Sequence, residues 1–137
     1  MILSILRWLY AAFYLLVGIQ TTLALLGVIP APDFDLSPRN AGFQAALGET
    51  GFIVPIMALV FMASGILMFF KRTSPFGIVL LAPFVVVIFF THLMLDGSVI
   101  WGTTHLGLLT LFAWQFRSAY RPLWGHSDTQ LHEKQHS

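Results

Sequence analysis

Residues 73–95 read TSPFGIVLLAPFVVVIFFTHLML, a run of 23 residues with no Asp, Glu, Lys or Arg. An α-helix rises about 1.5 Å per residue, and roughly 20 apolar residues cross the ~30 Å hydrocarbon layer of a bilayer. Three further runs without these charged residues are 25, 21 and 20 residues long: residues 8–32, 50–70 and 97–116. The four runs predict an all-α integral membrane protein, a four-helix antiparallel transmembrane bundle.

Composition and length also favour a membrane location. Hydrophobic residues make up 57% of the 137 residues, charged residues 9%, and the mean hydropathy is +0.80, whereas a soluble domain has about 25% charged residues. The chain has room for one four-helix unit, and the lack of Cys excludes thiolate nucleophiles, iron–sulfur clusters and Cys-type zinc sites within it. The sequence has no phosphate-binding loop or basic nucleic-acid face, so we expect the lipid bilayer, not nucleic acid, as partner.

Charged residues and turn signals set the expected boundaries. We expect a transmembrane domain over residues 1–124 and a polar, disordered cytoplasmic tail over residues 125–137. The expected helices cover residues 2–27, 52–70, 76–95 and 103–120. Ser37 and Pro38 resemble the N-cap and first residue of another helix. Three apolar residues of that segment share one helical face: Phe43, Ala46 and Leu47. The segment therefore predicts a short external amphipathic helix on the membrane surface.

The positive residues predict the orientation of the bundle. Lys and Arg near transmembrane helices stay preferentially on the cytoplasmic side. Six of the seven fall before the first helix, between the second and third, or after the fourth: Arg7, Lys71, Arg72, Arg117, Arg121 and Lys134. Because four crossings return the chain to its starting side, we predict that both termini are cytoplasmic.

Polar side chains near the external ends of the third and fourth helices mark a candidate site. His92 and His105 lie about one turn from the external ends of these antiparallel helices, at similar depth. Asp96 follows His92 by four residues, on the same helical face, and can hydrogen-bond an imidazole. Gln20 lies on the same membrane side. We therefore predict His92, Asp96 and His105 as catalytic residues, and His92, His105 and Gln20 as ligands of a quinone.

Several interpretations of this cluster stay open. In one interpretation the histidines are a structural pair whose hydrogen bonds are satisfied by Asp96 and nearby threonines. In another they form a proton-coupled quinone site, since His gains and loses a proton near neutral pH. Haem ligation by His92 and His105 has less support, because the sequence carries no haem-attachment signature. A metal site built from both histidines and a carboxylate shares that weaker support, and we assign no metal ligand.

Six short motifs, in one order along the chain, carry a family resemblance. They are Thr50–Pro55, Ser64-Gly65, Leu81–Pro83, His92–Asp96, Ala113-Trp114 and Ser118–Leu123. By these motifs residues 48–124 resemble the DoxX-like family of small bacterial four-helix membrane proteins, and Arg7 and Gly18 match it more loosely. The sequence differs from the family pattern at Phe61, where an acidic residue often stands, and at Gln20, where a Lys often follows the glycine of the first helix.

The resemblance implies a function. The family is named for a subunit of a thiosulfate:quinone oxidoreductase, and relatives are proposed to join membrane redox complexes. It implies a multi-pass subunit of the bacterial cytoplasmic membrane that supports quinone-linked redox chemistry, with a redox enzyme subunit or a second copy as partner. The alternative is a non-catalytic membrane anchor or assembly partner of another complex. A small-solute carrier has less support, because few polar residues lie mid-membrane. The residues leave open whether the chain is itself an enzyme.

Overall fold

The computed structural model describes residues 1–124, and every regular element in this range is a helix. The six α-helices are α1 (Ile2–Leu25), α2 (Pro38–Glu49), α3 (Ile53–Phe69), α4 (Ser74–Thr91), α5 (Val99–Gln115) and α6 (Arg117–Trp124). A π-helical turn, His92–Asp96, continues α4. The fold is thus all-α, as the sequence predicts. The predicted polar tail, residues 125–137, lies outside the described residues.

Helix length decides which elements can cross a membrane. Two helices, Ile2–Leu25 and Ser74–Asp96, are long and apolar enough to cross a membrane. Helices α2 and α3 meet at an angle of 94°, and they give a third candidate if the two together are counted as one broken span. Both α3 and α5 have 17 residues, which is about 25 Å of helix against a hydrocarbon layer of ~30 Å. By length and composition the structure therefore has two or three candidate spans among residues 1–124, and the predicted four crossings are not confirmed.

The fourth predicted helix begins earlier than expected: α5 starts at Val99 rather than at residue 103. The turn before it closes at Gly97, which has φ of +67° and whose N–H donates to the carbonyl of His92. Gly102 lies inside the helix rather than before it. A Cβ at Gly102 would lie 3.0 Å from the Cα of Phe89, so this glycine allows α5 to approach α4 closely.

The other helix ends also differ from the predicted ranges. The predicted helix 103–120 is broken at Phe116, after which α6 begins at Arg117. The first helix ends at Leu25 rather than residue 27, and α4 begins at Ser74 rather than residue 76. Gly27, Pro75 and Arg117 lie within two residues of these ends, and differences of one or two residues are usual at helix ends.

The most extensive helix pair, α1 and α3, is antiparallel and packs through reciprocal glycines. A Cβ at Gly18 would lie 2.8 Å from the carbonyl oxygen of Ala58, and a Cβ at Gly65 would lie 2.8 Å from the carbonyl oxygen of Ala11. In each helix the glycine and the alanine are seven residues, or two turns, apart. The two contacts therefore fix the register of the pair as well as its separation.

The remaining helices complete the bundle. α4 packs on α3, and α5 packs on α4, while tyrosines of α1 reach across to α5. The largest fully buried apolar side chains lie among these four helices: Tyr14, Met68, Leu81, Val85 and Phe112.

The short helix α2 lies at one end of the bundle, where it contacts α3 and the π-helical turn. Its N-terminus forms as predicted, because the Ser37 Oγ accepts the backbone N–H of Asn40. On the predicted apolar face Phe43 and Leu47 are half-buried, and Ala46 is exposed. We call this end of the bundle the α2 end, and the opposite end, which holds the α3–α4 turn, the hairpin end.

Candidate histidine–tyrosine site between α1 and α5

His105 is a buried histidine at the seam between α1 and α5. It lies in the second turn of α5, and only 7% of its surface is exposed. The Tyr14 hydroxyl lies 3.0 Å from the His105 Nδ1, and the Tyr10 hydroxyl donates to the His105 backbone carbonyl at 3.0 Å. These two bonds join α1 to α5 and hold the imidazole in place.

The hydrogen bond to Tyr14 is compatible with either neutral tautomer of His105. In the first, the Tyr14 hydroxyl donates to Nδ1 and the ring keeps its proton on Nε2; in the second, Nδ1–H donates to the hydroxyl oxygen. Nε2 of His105 makes no hydrogen bond to another residue of the range 1–124, and 7% of the residue's surface is exposed. In the first tautomer the Nε2–H edge of the ring is therefore a donor that no described residue uses.

Aromatic rings flank that edge. The ring centroids of Phe13 and Trp101 each lie 5.0 Å from the centroid of His105. Phe13 is 36% exposed and Trp101 is 52% exposed, so both reach the outer surface of the bundle. A flat apolar molecule in the bilayer that approaches Nε2 would therefore contact these two rings.

His92 is the first residue of the π-helical turn that continues α4, and it lies close to His105 without a hydrogen bond to it in the described range. Its Nδ1 is 2.8 Å from the Ile88 carbonyl oxygen, so Nδ1 carries the proton and Nε2 is left as an acceptor. The Cβ position of Gly102 is 3.2 Å from the His92 Cβ, and Gly102 precedes His105 by three residues. The structure thus places His92 one turn from His105 along α5, with no hydrogen bond between the two imidazoles in the described range.

Asp96 is engaged by α2 rather than by a histidine. Its Oδ2 accepts from the Asn40 Nδ2 at 2.6 Å, and its Oδ1 accepts from the Ser37 N–H at 3.4 Å. The Ser37 hydroxyl also donates to the Leu95 carbonyl at 2.8 Å, and Asn40 is only 2% exposed. Within residues 1–124 no hydrogen bond links Asp96 to His92. Asp96 therefore holds α2 against the end of the bundle, a role that the sequence does not indicate.

Gln20, the last predicted ligand, is exposed, and its side chain makes no hydrogen bond to another described residue. The neighbouring hydroxyls of Thr21 and Thr22 donate back to carbonyls of their own helix. No three His, Asp or Glu side chains in the described range are grouped so as to hold a metal ion.

Tyr10 and Tyr14 are the residues of this site that sequence reasoning missed. They lie four residues apart in the charge-free run of α1, on one helical face. A tyrosine hydroxyl inside an apolar helix needs a hydrogen-bond partner. That requirement was the available signal, but the predicted helix boundaries placed Tyr14 mid-helix and His105 near the external end.

The Asp96 contacts predict that α2 detaches when this carboxylate is removed. Hydrogen bonds to a charged group contribute about 1.5–3 kcal/mol, so we expect Asp96→Ala to increase local opening of α2 about tenfold or more. Tryptic cleavage after Arg39, which lies within α2, measures this opening. Asp33→Ala is the matched control, because Asp33 is exposed and makes no side-chain hydrogen bond within residues 1–124. Equal cleavage rates in the two variants would refute the role of Asp96.

The comparisons with known proteins identify no relative. No family model, curated protein or solved structure matches the chain. The resemblance to the DoxX-like family therefore stays a prediction that depends on the six sequence motifs.

Proposed function

We propose that the protein is a four-span, DoxX-like membrane subunit that binds a quinone beside His105 and supports quinone-linked redox chemistry. One observation carries this proposal. The buried His105 is bonded through Nδ1 to Tyr14, while its Nε2 has no partner in the described range. In the proposed complex the Tyr14 hydroxyl donates to Nδ1, so Nε2–H is the donor that a quinone carbonyl, as an acceptor, requires.

The surroundings of His105 suit the rest of a quinone. The planar head of a quinone is apolar except at its carbonyls, and the hydrocarbon chain of the quinone dissolves in the bilayer. In the proposed complex the head lies against Phe13 and Trp101, both partly exposed at the seam. The hydrocarbon chain of the quinone then extends into lipid without entering the bundle. This arrangement explains why a site with no deep cavity can still select a flat ligand.

Proton transfer at the proposed site uses the two states of the imidazole. The neutral ring donates Nε2–H to the quinone oxygen and stabilises the charge that builds up there as electrons arrive. Quinol formation takes two electrons and two protons, and the electrons would come from a redox subunit that partners this chain. A proton from water would convert His105 to imidazolium, whose Nδ1–H donates to the Tyr14 oxygen, and the Nε2 proton would move to a reduced quinone oxygen. A second proton from water would restore Nε2–H for transfer to the other oxygen.

The proposed location is the bacterial cytoplasmic membrane, with both termini cytoplasmic. Four exposed cations lie in the α3–α4 turn and in α6: Lys71, Arg72, Arg117 and Arg121. The Tyr120 hydroxyl donates to the Pro75 carbonyl at 2.9 Å, so α6 lies beside the start of α4 and these cations share the hairpin end. Positive residues favour the cytoplasmic side. Activity of a cytoplasm-specific reporter fused after Ser137 checks the orientation, and an active exterior reporter refutes it.

Trp101 provides a direct test of quinone binding. The other three tryptophans, Trp8, Trp114 and Trp124, lie at or towards the hairpin end; changing them to Phe leaves Trp101, 5.0 Å from His105, as the reporter. We expect a short-chain quinone to quench this fluorescence saturably. Tyr14→Phe deletes one hydrogen bond, worth about 1 kcal/mol, and should weaken binding about fivefold. His105→Phe should abolish saturation.

Two controls make the result specific. Thr110→Val, on the exposed face of α5, keeps the side-chain shape and should leave quinone binding unchanged. A dimethoxybenzene of the same size lacks the quinone carbonyls and should not give saturable quenching. If that compound quenches as the quinone does, or if His105→Phe binds quinone normally, the proposed site is wrong. The alternative role as a non-catalytic anchor then becomes the better explanation.

A further inference from the structure

The buried cation at the hairpin end, Arg7, has no carboxylate partner among residues 1–124. Its side chain is only 5% exposed. Nη1 donates to the carbonyl of Met68 and to the hydroxyl of Ser74, each at 2.6 Å. Both acceptors are neutral, so within the described range these bonds satisfy hydrogen-bonding groups but leave the positive charge uncompensated.

The other donors of the guanidinium remain available. Nη2 and Nε have no hydrogen-bond partner in residues 1–124. The Phe116 ring lies 5.9 Å from Cζ and packs beside the guanidinium. The result is a cation shielded from most solvent, with two donors that no described residue uses.

The surroundings of Arg7 favour an anion at the membrane surface. Ser74 begins α4, where backbone N–H groups and the helix dipole attract negative charge. Lys71 and Arg72 lie exposed in the adjoining turn. Trp8, half-exposed and bonded through Nε1 to the Phe69 carbonyl, is the kind of residue that marks the interface between lipid and water.

We propose that Arg7 binds an anionic phosphate group at the hairpin end, through its Nη2 and Nε donors. A guanidinium edge presents two parallel N–H groups that match two oxygens of a phosphate. The phosphate belongs to the headgroup of an anionic lipid or is free in solution, and both share this chemistry. The inference is independent of the quinone proposal, since it rests on the hydrogen bonds of Arg7 and not on those of His105.

Thermal unfolding of the full-length protein in nanodiscs tests the site. The discs contain phosphatidylcholine alone, phosphatidylcholine with phosphatidylglycerol, or phosphatidylcholine with added inorganic phosphate. A ligand that binds only the folded state, present at a concentration well above its Kd, should raise the Tm by about 5 °C or more. A rise with phosphatidylglycerol alone assigns the phosphate to a lipid headgroup, and a rise with both assigns it to free phosphate. Equal Tm values in all three media overturn the proposal.

Two variants locate the effect. Arg7→Gln should lose the dependence on anionic phosphate. Because that variant removes a buried contact and can fail to fold, the double variant Lys71→Gln/Arg72→Gln, changed only at exposed turn residues, provides the second test. It should keep most of the Tm rise if Arg7 holds the phosphate. Complete loss of the rise in the double variant would assign the effect to surface charge and refute the site.

Discussion

Replacing Gly65 with alanine is expected to destabilise the bundle by about 1–3 kcal/mol, and replacing it with leucine by more. The added Cβ would lie 2.8 Å from the Ala11 carbonyl oxygen and 2.9 Å from the Leu15 backbone nitrogen. These are backbone atoms of α1, so no side-chain rotation relieves the contact. The helices must separate instead, which weakens the most extensive helix pair of the protein. A lower Tm in detergent or nanodiscs measures the effect.

Gly107 provides the matched control for this prediction. It also lies inside an apolar helix, but a Cβ there would have no atom of residues 1–124 within 4 Å beyond its own helix backbone and chain neighbours. Alanine is a better helix former than glycine by about 1 kcal/mol, so Gly107→Ala should keep or raise the Tm. If Gly65→Ala is as stable as Gly107→Ala, then α1 and α3 do not pack at this distance in the folded protein.

The glycines show how far the sequence determines the packing. A small residue in an apolar helix predicts a close approach to some neighbour, and Gly18, Gly65 and Gly77 do lie against other helices. The same reasoning does not hold for Gly107, because no other helix of the described range lies within 4 Å of its Cβ position. The charge-free runs predict that helices exist, but every face of those helices is apolar. Without an apolar–polar alternation the sequence does not indicate how each helix is rotated.

The candidate site illustrates the same limit. Spacing along the chain predicts that His92 and His105 have similar depth, and the structure places them one turn apart along α5. Spacing also suggests that Asp96 serves His92, yet the structure pairs Asp96 with Asn40 of α2, 56 positions away in the chain. Contacts of this length depend on how loops fold back, and local periodicity carries no information about them. The Tyr14 contact to His105, 91 positions apart, is missed for the same reason.

Replacing Arg7 with methionine is expected to destabilise the protein by about 1–3 kcal/mol, and replacing it with glutamate should prevent folding. Methionine keeps much of the apolar volume but removes the 2.6 Å bonds to the Met68 carbonyl and the Ser74 hydroxyl. The loss is limited because the Ser74 hydroxyl has two carbonyl acceptors of its own, Phe70 at 2.8 Å and Met68 at 3.1 Å. Glutamate would place a negative charge against the C-terminal carbonyls of α3, at the negative end of the helix dipole. Tm and recovery of folded protein measure both effects.

Variants of Arg72 distinguish the loss of the Arg7 hydrogen bonds from a general effect of charge at the hairpin end on stability. Arg72 is exposed in the α3–α4 turn, so Arg72→Met and Arg72→Glu should change stability by no more than about 0.5 kcal/mol. Measurements in phosphatidylcholine without added phosphate exclude a contribution from anion binding. If Arg72→Glu is as damaging as Arg7→Glu, net charge at this membrane face governs folding. If only the Arg7 variants are damaging, the guanidinium holds α1 to the α3–α4 turn through its own hydrogen bonds, as its burial requires.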